Sequence, residues 1–358
     1  AELYAERLID DFHKAIDEKQ FRVYFQPKFD ISSEKPFLAG AEGLVRWQHP
    51  ELGFISPGTF IPLFEENGLI LRLDDYIWRE VARRMRQEGC AERGLCVGYD
   101  RRFLSKEALI WFCEVLAGEG ITVFFVNMSC PTPQIMFTVK EKPLPYGAMV
   151  TASHNPAIWN GIKLFTAGGR DAAREVTESI QETANSLTEE DIRDIPFQEA
   201  LDSGQIQIID PRDAYLDAIL RQVNTEAIRK RRLRIVLDPM FGVSLTGLQT
   251  ILYTSRCDVD VINDRHDAFF GRHLPAPNPD TLVDLQYAVK EHQADVGIAT
   301  DGDADRLGVI DERGNFIHPN TLLVLLYYYL VKYRGWQGAC VRNNSTTHLL
   351  DRVAEKFG

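Results

Sequence analysis

Two short stretches hold the side chains with the most chemistry to offer. Residues 301–306 read DGDADR, which sets Asp301, Asp303 and Asp305 two positions apart with only Gly302 and Ala304 between them. Three carboxylates this close repel one another unless a cation sits among them. The small intervening residues let the loop curl so that the acids converge, and hard oxygen ligands in that number suit Mg²⁺ or Ca²⁺. Residues 151–156 read TASHNP. Ser153 in this stretch could be a nucleophile, a phosphate carrier or part of an ordinary polar turn. Neighbouring side chains diverge, so His154 is poorly placed to serve Ser153 as a base, and no GxSxG elbow surrounds the serine. A phosphate carrier makes better sense. A phosphoserine brings about two negative charges and needs cations close by. A metal on the three aspartates, with Lys163 and Arg306, would supply them; taken alone, Lys163 reads as a solvated surface lysine.

The acidic loop has a decoy reading. DGDADRLGVIDE carries acids at positions one, three, five and twelve, as an EF-hand does, but its sixth position is Arg306, where the EF-hand turn needs glycine. The flanks DVGIAT and LGVID are strand-like rather than helical. Flanking strands put the loop at a sheet's end, where ligands bind.

These loops need a scaffold. From Gly94 onward, short apolar strands alternate with helices. GLCVGYD, ITVFFVN and GAMVTAS read as strands, and SKEALIWFCEVLAGEG as a helix with Ser105 as its N-cap. REVTESIQETAN reads as a helix. A second unit opens with LRIVLDPM, and a third near LLVLLYYYLV at 322–331, which reads as a buried helix too short to span a bilayer. GACVRNN is the expected next strand and TTHLLDRVAEKFG the last helix. Such alternation predicts α/β units with open, largely parallel sheets. The front differs. ELYAERLIDDFHKAIDEKQ is an amphipathic helix, FRVYFQPKFD and FLAGAEGLVRW are strands, and DDYIWREVARRMRQEG is a helix with acids at its start and arginines near its end.

Composition bounds the function. The 358 residues are 45% hydrophobic and 26% charged, as in a globular protein of two or three domains, and the net charge of −12 argues against general nucleic-acid binding. The first residues lack a signal-peptide core. The six cysteines show neither C-x-x-C pairs nor zinc-ligand spacing. The expectation is a cytoplasmic protein with no membrane span.

Together the loops resemble a family, the α-D-phosphohexomutases of the phosphoglucomutase/phosphomannomutase type. TASHNPAIWNGIKLF at 151–165 is similar to the family's phosphoserine loop and ATDGDADRLGVID at 299–311 to its magnesium loop. VGYDRRFLS at 97–105 resembles the first-domain strand and turn. LDPMFGVS at 237–244 and FFGRHLPAPNPDTL at 269–282 resemble the second domain, and VRNNSTTHLLDRVAEKFG the opening of the third. The resemblance covers about residues 88–358. It implies a first domain over 86–212, a second over 213–312 and the start of a third over 313–358. It also implies roles. Ser153 carries the phosphoryl group. Mg²⁺ sits on Asp301, Asp303, Asp305 and an oxygen of that phosphoserine. Lys163 is the general acid/base, and Arg306 contacts the transferring group or supports the loop. Asn155 holds the serine loop, and His154 is structural or faces phosphate. The reaction would move phosphate between O1 and O6 of glucose or mannose phosphates through a hexose 1,6-bisphosphate. Small-molecule sugar phosphates are the expected partners, and the sequence is silent on oligomeric state. Counterparts of the family's glycine- and arginine-containing motif before the GYD strand, its GExSG-type sugar loop and its RxSGTEP-like phosphate loop are not found, so the expectation is an incomplete mutase.

Residues 1–85 resemble something else. FRVYFQPKFDISS, AEGLVRWQHPELGFISPGTFIPLFEENGLI and LDDYIW are similar to the start of an EAL domain, a cyclic-di-GMP phosphodiesterase TIM barrel. Glu42, in EGL, matches that family's first metal-ligand glutamate and Arg46 its substrate-phosphate arginine, whereas its later metal ligands have no counterpart. The first strands of a barrel cannot close alone, so Glu42 and Arg46 are expected to be an inactive remnant. The junction falls within 76–92. A cyclic-di-GMP phosphodiesterase or binding module is the alternative function.

Overall fold

The computed structural model describes residues 2–18, 20–30, 37–69, 73, 94–171 and 193–357. The helices expected over DDYIWREVARRMRQEG and REVTESIQETAN, and the junction within 76–92, lie outside the described residues.

The described strands are β1 (Phe21–Asp30), β2 (Phe37–His49), β3 (Gly53–Ile55), β4 (Leu95–Tyr99), β5 (Val123–Val126), β6 (Tyr146–Val150), β7 (Ile162–Thr166), β8 (Arg170–Asp171), β9 (Ile206–Ile209), β10 (Arg234–Asp238), β11 (Asp258–Val261), β12 (Val296–Thr300), β13 (Leu307–Asp311) and β14 (Phe316–Ile317). They form two sheets. The first runs β1-β2-β7-β6-β4-β5-β9, with β3 on β2 and β8 on β7. The second runs β11-β10-β12-β13-β14.

In the first sheet β6, β4, β5 and β9 are parallel, and β7 turns back antiparallel on β6. Side chains of a strand alternate between the two faces. Leu95, Val97 and Tyr99 of β4 join the core under the helix Ser105–Gly118. Cys96 joins the opposite core under the helix Thr132–Glu141. Helices therefore cover both faces. Within this doubly wound region, β4 continues to β5 on one side while β6 lies on its other side. The crevice at the carboxyl ends of β4 and β6 is where such sheets bind ligands, and both the Asp100 turn and the Ser153 loop begin there. In the second sheet β11, β10 and β12 are parallel, and the DGDADR turn reverses the chain so that β13 runs antiparallel to β12.

The expected strands and most expected helices form, with four differences. The helix expected over ELYAERLIDDFHKAIDEKQ is divided at Asp11 into Glu2–Asp10 and Phe12–Asp17. Ser105 is not the N-cap of its helix; Leu104 takes that place, and the Ser105 hydroxyl instead donates to Asp100 at 2.7 Å. GACVRNN forms no strand, because no described neighbour pairs with it. The apolar run 322–331 is helical, within Pro319–Lys332, but not buried: Leu323, Leu325 and Leu326 are 45%, 53% and 51% exposed. It packs against the helix Leu349–Phe357, to which the Tyr328–Phe357 ring contact joins it. No described helix is long and apolar enough to cross a membrane.

The front of the chain builds its own aromatic core of Phe12, Phe21, Trp47, Phe60 and Phe64. Its strands β1 and β2 are antiparallel, and β2 pairs with β7 through Ala41↔Leu164 and Glu42↔Lys163. Strands β1 to β3 thus extend the edge of the first sheet.

Candidate active site

The serine loop leaves β6 in a conformation that few residues adopt. Ser153 has φ 55°, in the left-handed region, at a cost of about 1–3 kcal/mol for a residue with a side chain. The surroundings hold it there. Its N–H donates to Thr151 Oγ1 at 2.9 Å, and its carbonyl accepts from Arg102 Nη2 at 2.8 Å. Its hydroxyl, buried, donates to Asp301 Oδ2 at 2.9 Å across 148 residues of sequence. Strands from two different sheets therefore bring TASHNP and DGDADR together.

The acidic loop is equally constrained. Ala304 has φ 59°. Asp301 Oδ1 accepts the backbone N–H groups of Asp305 and Arg306, each at 3.0 Å. Gly302 packs against the serine loop so closely that a Cβ there would meet the Ser153 carbonyl at 2.9 Å. Thr132, at the start of the helix Thr132–Glu141, donates its hydroxyl to Asp303 Oδ2 at 2.6 Å and its N–H to the Asp303 carbonyl at 2.9 Å. Lys163 reaches from β7 to bridge Asp303 Oδ2 and Asp305 Oδ2, both at 2.7 Å.

The electrostatics follow from burial. Asp301 and Asp303 are fully buried. Desolvation, then the charges of Asp303 and Asp305, pushes Asp301 up to about 8. Burial would raise Asp303 too, but the Lys163 ammonium and the Thr132 hydroxyl outweigh it and hold Asp303 below the usual carboxylate range. Burial opposes the charge on Lys163, yet the two aspartates raise its pKa. Oxygens of Asp301, Asp303 and Asp305 lie within 4.8 Å of one another, and Asp303 Oδ1 is buried without a hydrogen-bond partner. An unpartnered buried carboxylate oxygen beside two others is the donor set a hard divalent cation takes. The residues present fit Mg²⁺.

The remaining expected residues stand around this centre. Arg306 Nε lies 3.9 Å from Asp301 Oδ2 and 4.0 Å from Asp305 Oδ1, half exposed at the rim. His154 Nδ1 is 3.4 Å from Ser153 Oγ. Asn155 closes the loop through its backbone N–H to the Ala152 carbonyl. The amide side chain that ties the loop belongs to Asn160, which donates to the Phe103 carbonyl at 2.7 Å and has its Oδ1 3.0 Å from Ser105 Oγ. Glu42 lies in register with Gln26 and Lys163, and Arg46 with Arg22. Sequence reasoning did not single out Thr132, Asp100 or Arg102. The signal for the last two was the polar run DRR at the end of the apolar strand, within the stretch VGYDRRFLS that resembles the family's first-domain turn.

Two sequence profiles cover this site. Residues 76–191 match phosphoglucomutase/phosphomannomutase alpha/beta/alpha domain I, and residues 213–314 match domain II. Both segments belong to the phosphoglucomutase/phosphomannomutase family. Residues 9–108 match the EAL domain, overlapping the first segment. A phosphoglucomutase/phosphomannomutase of Thermococcus kodakarensis is 34% identical over 277 residues, covering 76% of this chain and 58% of that one. A probable phosphoglucosamine mutase of Pyrococcus abyssi is 31% identical over 262 residues, covering 73% and 55%. The chain thus spans a little over half the length of these curated relatives. A solved structure from Thermus thermophilus, named as a phosphomannomutase, superposes with a TM-score of 0.69 at 29% identity over 80% of this chain and 63% of that one.

Proposed function

We propose that this chain carries the serine and metal half of a phosphohexomutase, which moves a phosphoryl group between O1 and O6 of a glucose or mannose phosphate by way of Ser153. The observation that carries the reading is the 2.9 Å contact of Ser153 Oγ with Asp301, inside a triad whose other two acids hold Lys163. On this reading the mutase domains run 86–212 and 213–312, a third begins at 313, and residues 1–85 are an EAL fragment.

Mg²⁺ on Asp301, Asp303, Asp305 and Ser153 would offset the negative charge of the group in transfer. The protein's residues do the positioning. The left-handed turn presents Ser153 Oγ toward the acidic loop. As the phosphoserine P–Oγ bond breaks and a bond to a sugar hydroxyl forms, Lys163 exchanges the proton. A lysine ammonium is charged at neutral pH, so Lys163 donates to Oγ as the serine leaves, and then takes the proton of the attacking hydroxyl. Arg306 at the rim meets the incoming phosphate. A hexose 1,6-bisphosphate is the intermediate that turns over and returns its other phosphate to Ser153. Small-molecule sugar phosphates are the partners, and the cytoplasm is the compartment consistent with this chemistry.

Incubation with glucose 1,6-bisphosphate and Mg²⁺ should add one phosphoryl mass to the protein, mapped to Ser153 by peptide mass spectrometry. The same mass gain in Ser153→Ala would overturn the assignment. The EAL match at 9–108 favours cyclic-di-GMP chemistry as a second reading. Hydrolysis of cyclic-di-GMP that is abolished by Glu42→Ala would establish it; we expect no turnover.

A further inference from the structure

The Ser153 turn hangs from one side chain. Arg102 is buried, and four of its N–H groups donate to the protein. Nε donates to Asp100 Oδ2 at 2.8 Å, Nη2 to the Ser153 carbonyl at 2.8 Å, and Nη1 to the Pro156 and Trp159 carbonyls at 3.0 and 2.8 Å. Three of the four acceptors are backbone carbonyls of the segment 153–159, so one planar guanidinium fixes both ends of that loop. Its partner, Asp100, is also buried and accepts the hydroxyls of Ser105 and Thr151, each at 2.7 Å. Thr151 Oγ1 in turn accepts the Ser153 N–H. Both flanks of the Ser153 peptide, its N–H and its C=O, are therefore tied to the Asp100–Arg102 ion pair.

The same guanidinium touches the second sheet's domain. Its Cζ lies 5.4 Å from the centre of the Phe270 ring, within cation–π range. Phe270 is fully buried and lies against Gly302, between Asp301 and Asp303. The Phe103 N–H donates to the Ala268 carbonyl at 3.1 Å, and the Phe103 and Phe269 rings stack alongside. Arg102 is thus the point where the nucleophile loop, the first-domain sheet and the metal-loop domain meet.

We infer that Arg102, held by Asp100, is the positioning residue that keeps Ser153 in its left-handed turn and sets its hydroxyl against Asp301. This rests on Ser153 being the phosphate carrier. A lysine could keep the charge opposite Asp100 but has no planar fork with which to reach three carbonyls. Arg102 is occupied by protein acceptors and touches no reacting atom, so its loss acts through the geometry of Ser153. A misplacement of about 1 Å costs roughly a hundredfold in rate.

The test is single-turnover phosphorylation of Ser153 by glucose 1,6-bisphosphate, followed by intact mass, together with Mn²⁺ affinity by calorimetry and thermal unfolding. Arg102→Lys should unfold cooperatively, bind Mn²⁺ within about threefold of the wild type, and load Ser153 at least about tenfold more slowly at saturating bisphosphate. The loss should fall on the maximal rate rather than on the bisphosphate concentration for half-saturation. Thr151→Val, close in shape, removes the hydroxyl that links Ser153 to Asp100 and should show the same split; it carries the test if Arg102→Lys does not fold. Loading at the wild-type rate in either folded variant would overturn the inference. So would a slow variant whose whole defect disappears at high bisphosphate. A wild-type protein that takes no phosphate on Ser153 would overturn the proposed function, and this inference with it.

Discussion

Gly302 offers a steric probe of the site that leaves every polar group in place. Its backbone lies outside the left-handed region, so alanine is allowed there conformationally. The obstacle is contact. A Cβ would lie 2.9 Å from the Ser153 carbonyl oxygen and 3.2 Å from Phe270 Cζ. Comfortable non-bonded separations begin near 3.5 Å, so the serine loop and the acidic loop must separate by roughly half an ångström. The loop cannot give freely, because the same carbonyl is bound to Arg102 at 2.8 Å. Overpacking of this kind costs about 1–3 kcal/mol of stability. On the scale of roughly a hundredfold per ångström of misplacement, phosphorylation of Ser153 should slow by about tenfold or more. Thermal unfolding and the loading assay measure the two effects on one sample. Gly204→Ala is the control. Gly204 has φ 77° with nothing within 4 Å of its Cβ position, so alanine there should cost about 1–2 kcal/mol and leave loading untouched. Wild-type loading in Gly302→Ala would refute the claim that the closeness of the two loops matters.

Two further outcomes are expected. Asp303→Ala removes the buried oxygen that has no partner and should abolish the single divalent-cation site in a calorimetric titration; unchanged binding would remove the aspartate loop as the metal centre. Asp238 is buried on β10 beside Asn263, and desolvation pushes it up to about 6 from 3.8. A raised acid favours folding in its protonated form, so the stability it contributes is complete below about pH 4 and falls away, by about 3 kcal/mol, as pH rises through 6. Chemical denaturation across pH 4–7 should show this decline in the wild type and not in Asp238→Asn.

Strands β1, β2, β4, β5, β6, β10, β12 and β13 were legible because their apolar runs are bounded by polar turns, whereas β7 and β9 were not read as strands. The two site loops were legible because their residue types are costly anywhere else: three acids in five residues demand a cation or a neutralising partner. Lys163 could not be told from a surface lysine on its own, because what sets it apart is the strand pairing of β7 and a reach to Asp303 across 140 residues. Arg102 was invisible for a related reason, since its acceptors are backbone carbonyls that no residue type announces. Ser105 misled because a serine before a helix ordinarily caps it, and here the buried Asp100 claims its hydroxyl. The apolar run at 322–331 misled because apolar content reports what a helix can bury, whereas burial itself needs a second surface.

The 148 residues between Ser153 and Asp301 have a consequence in time. A ribosome adds about 5–20 residues per second, so the serine loop emerges roughly 7–30 seconds before the acid that receives its hydroxyl. During that interval the first sheet can close around β4 and β6 with Asp100 and Arg102 already paired, since both lie within that sheet's own segment. Ser153 is then held through its backbone N–H and C=O, with His154 Nδ1 beside its hydroxyl. Its hydroxyl meets Asp301 only when the second sheet forms and its turn docks, so in the newborn chain the Ser153 turn is shaped before the acid that faces it has been made.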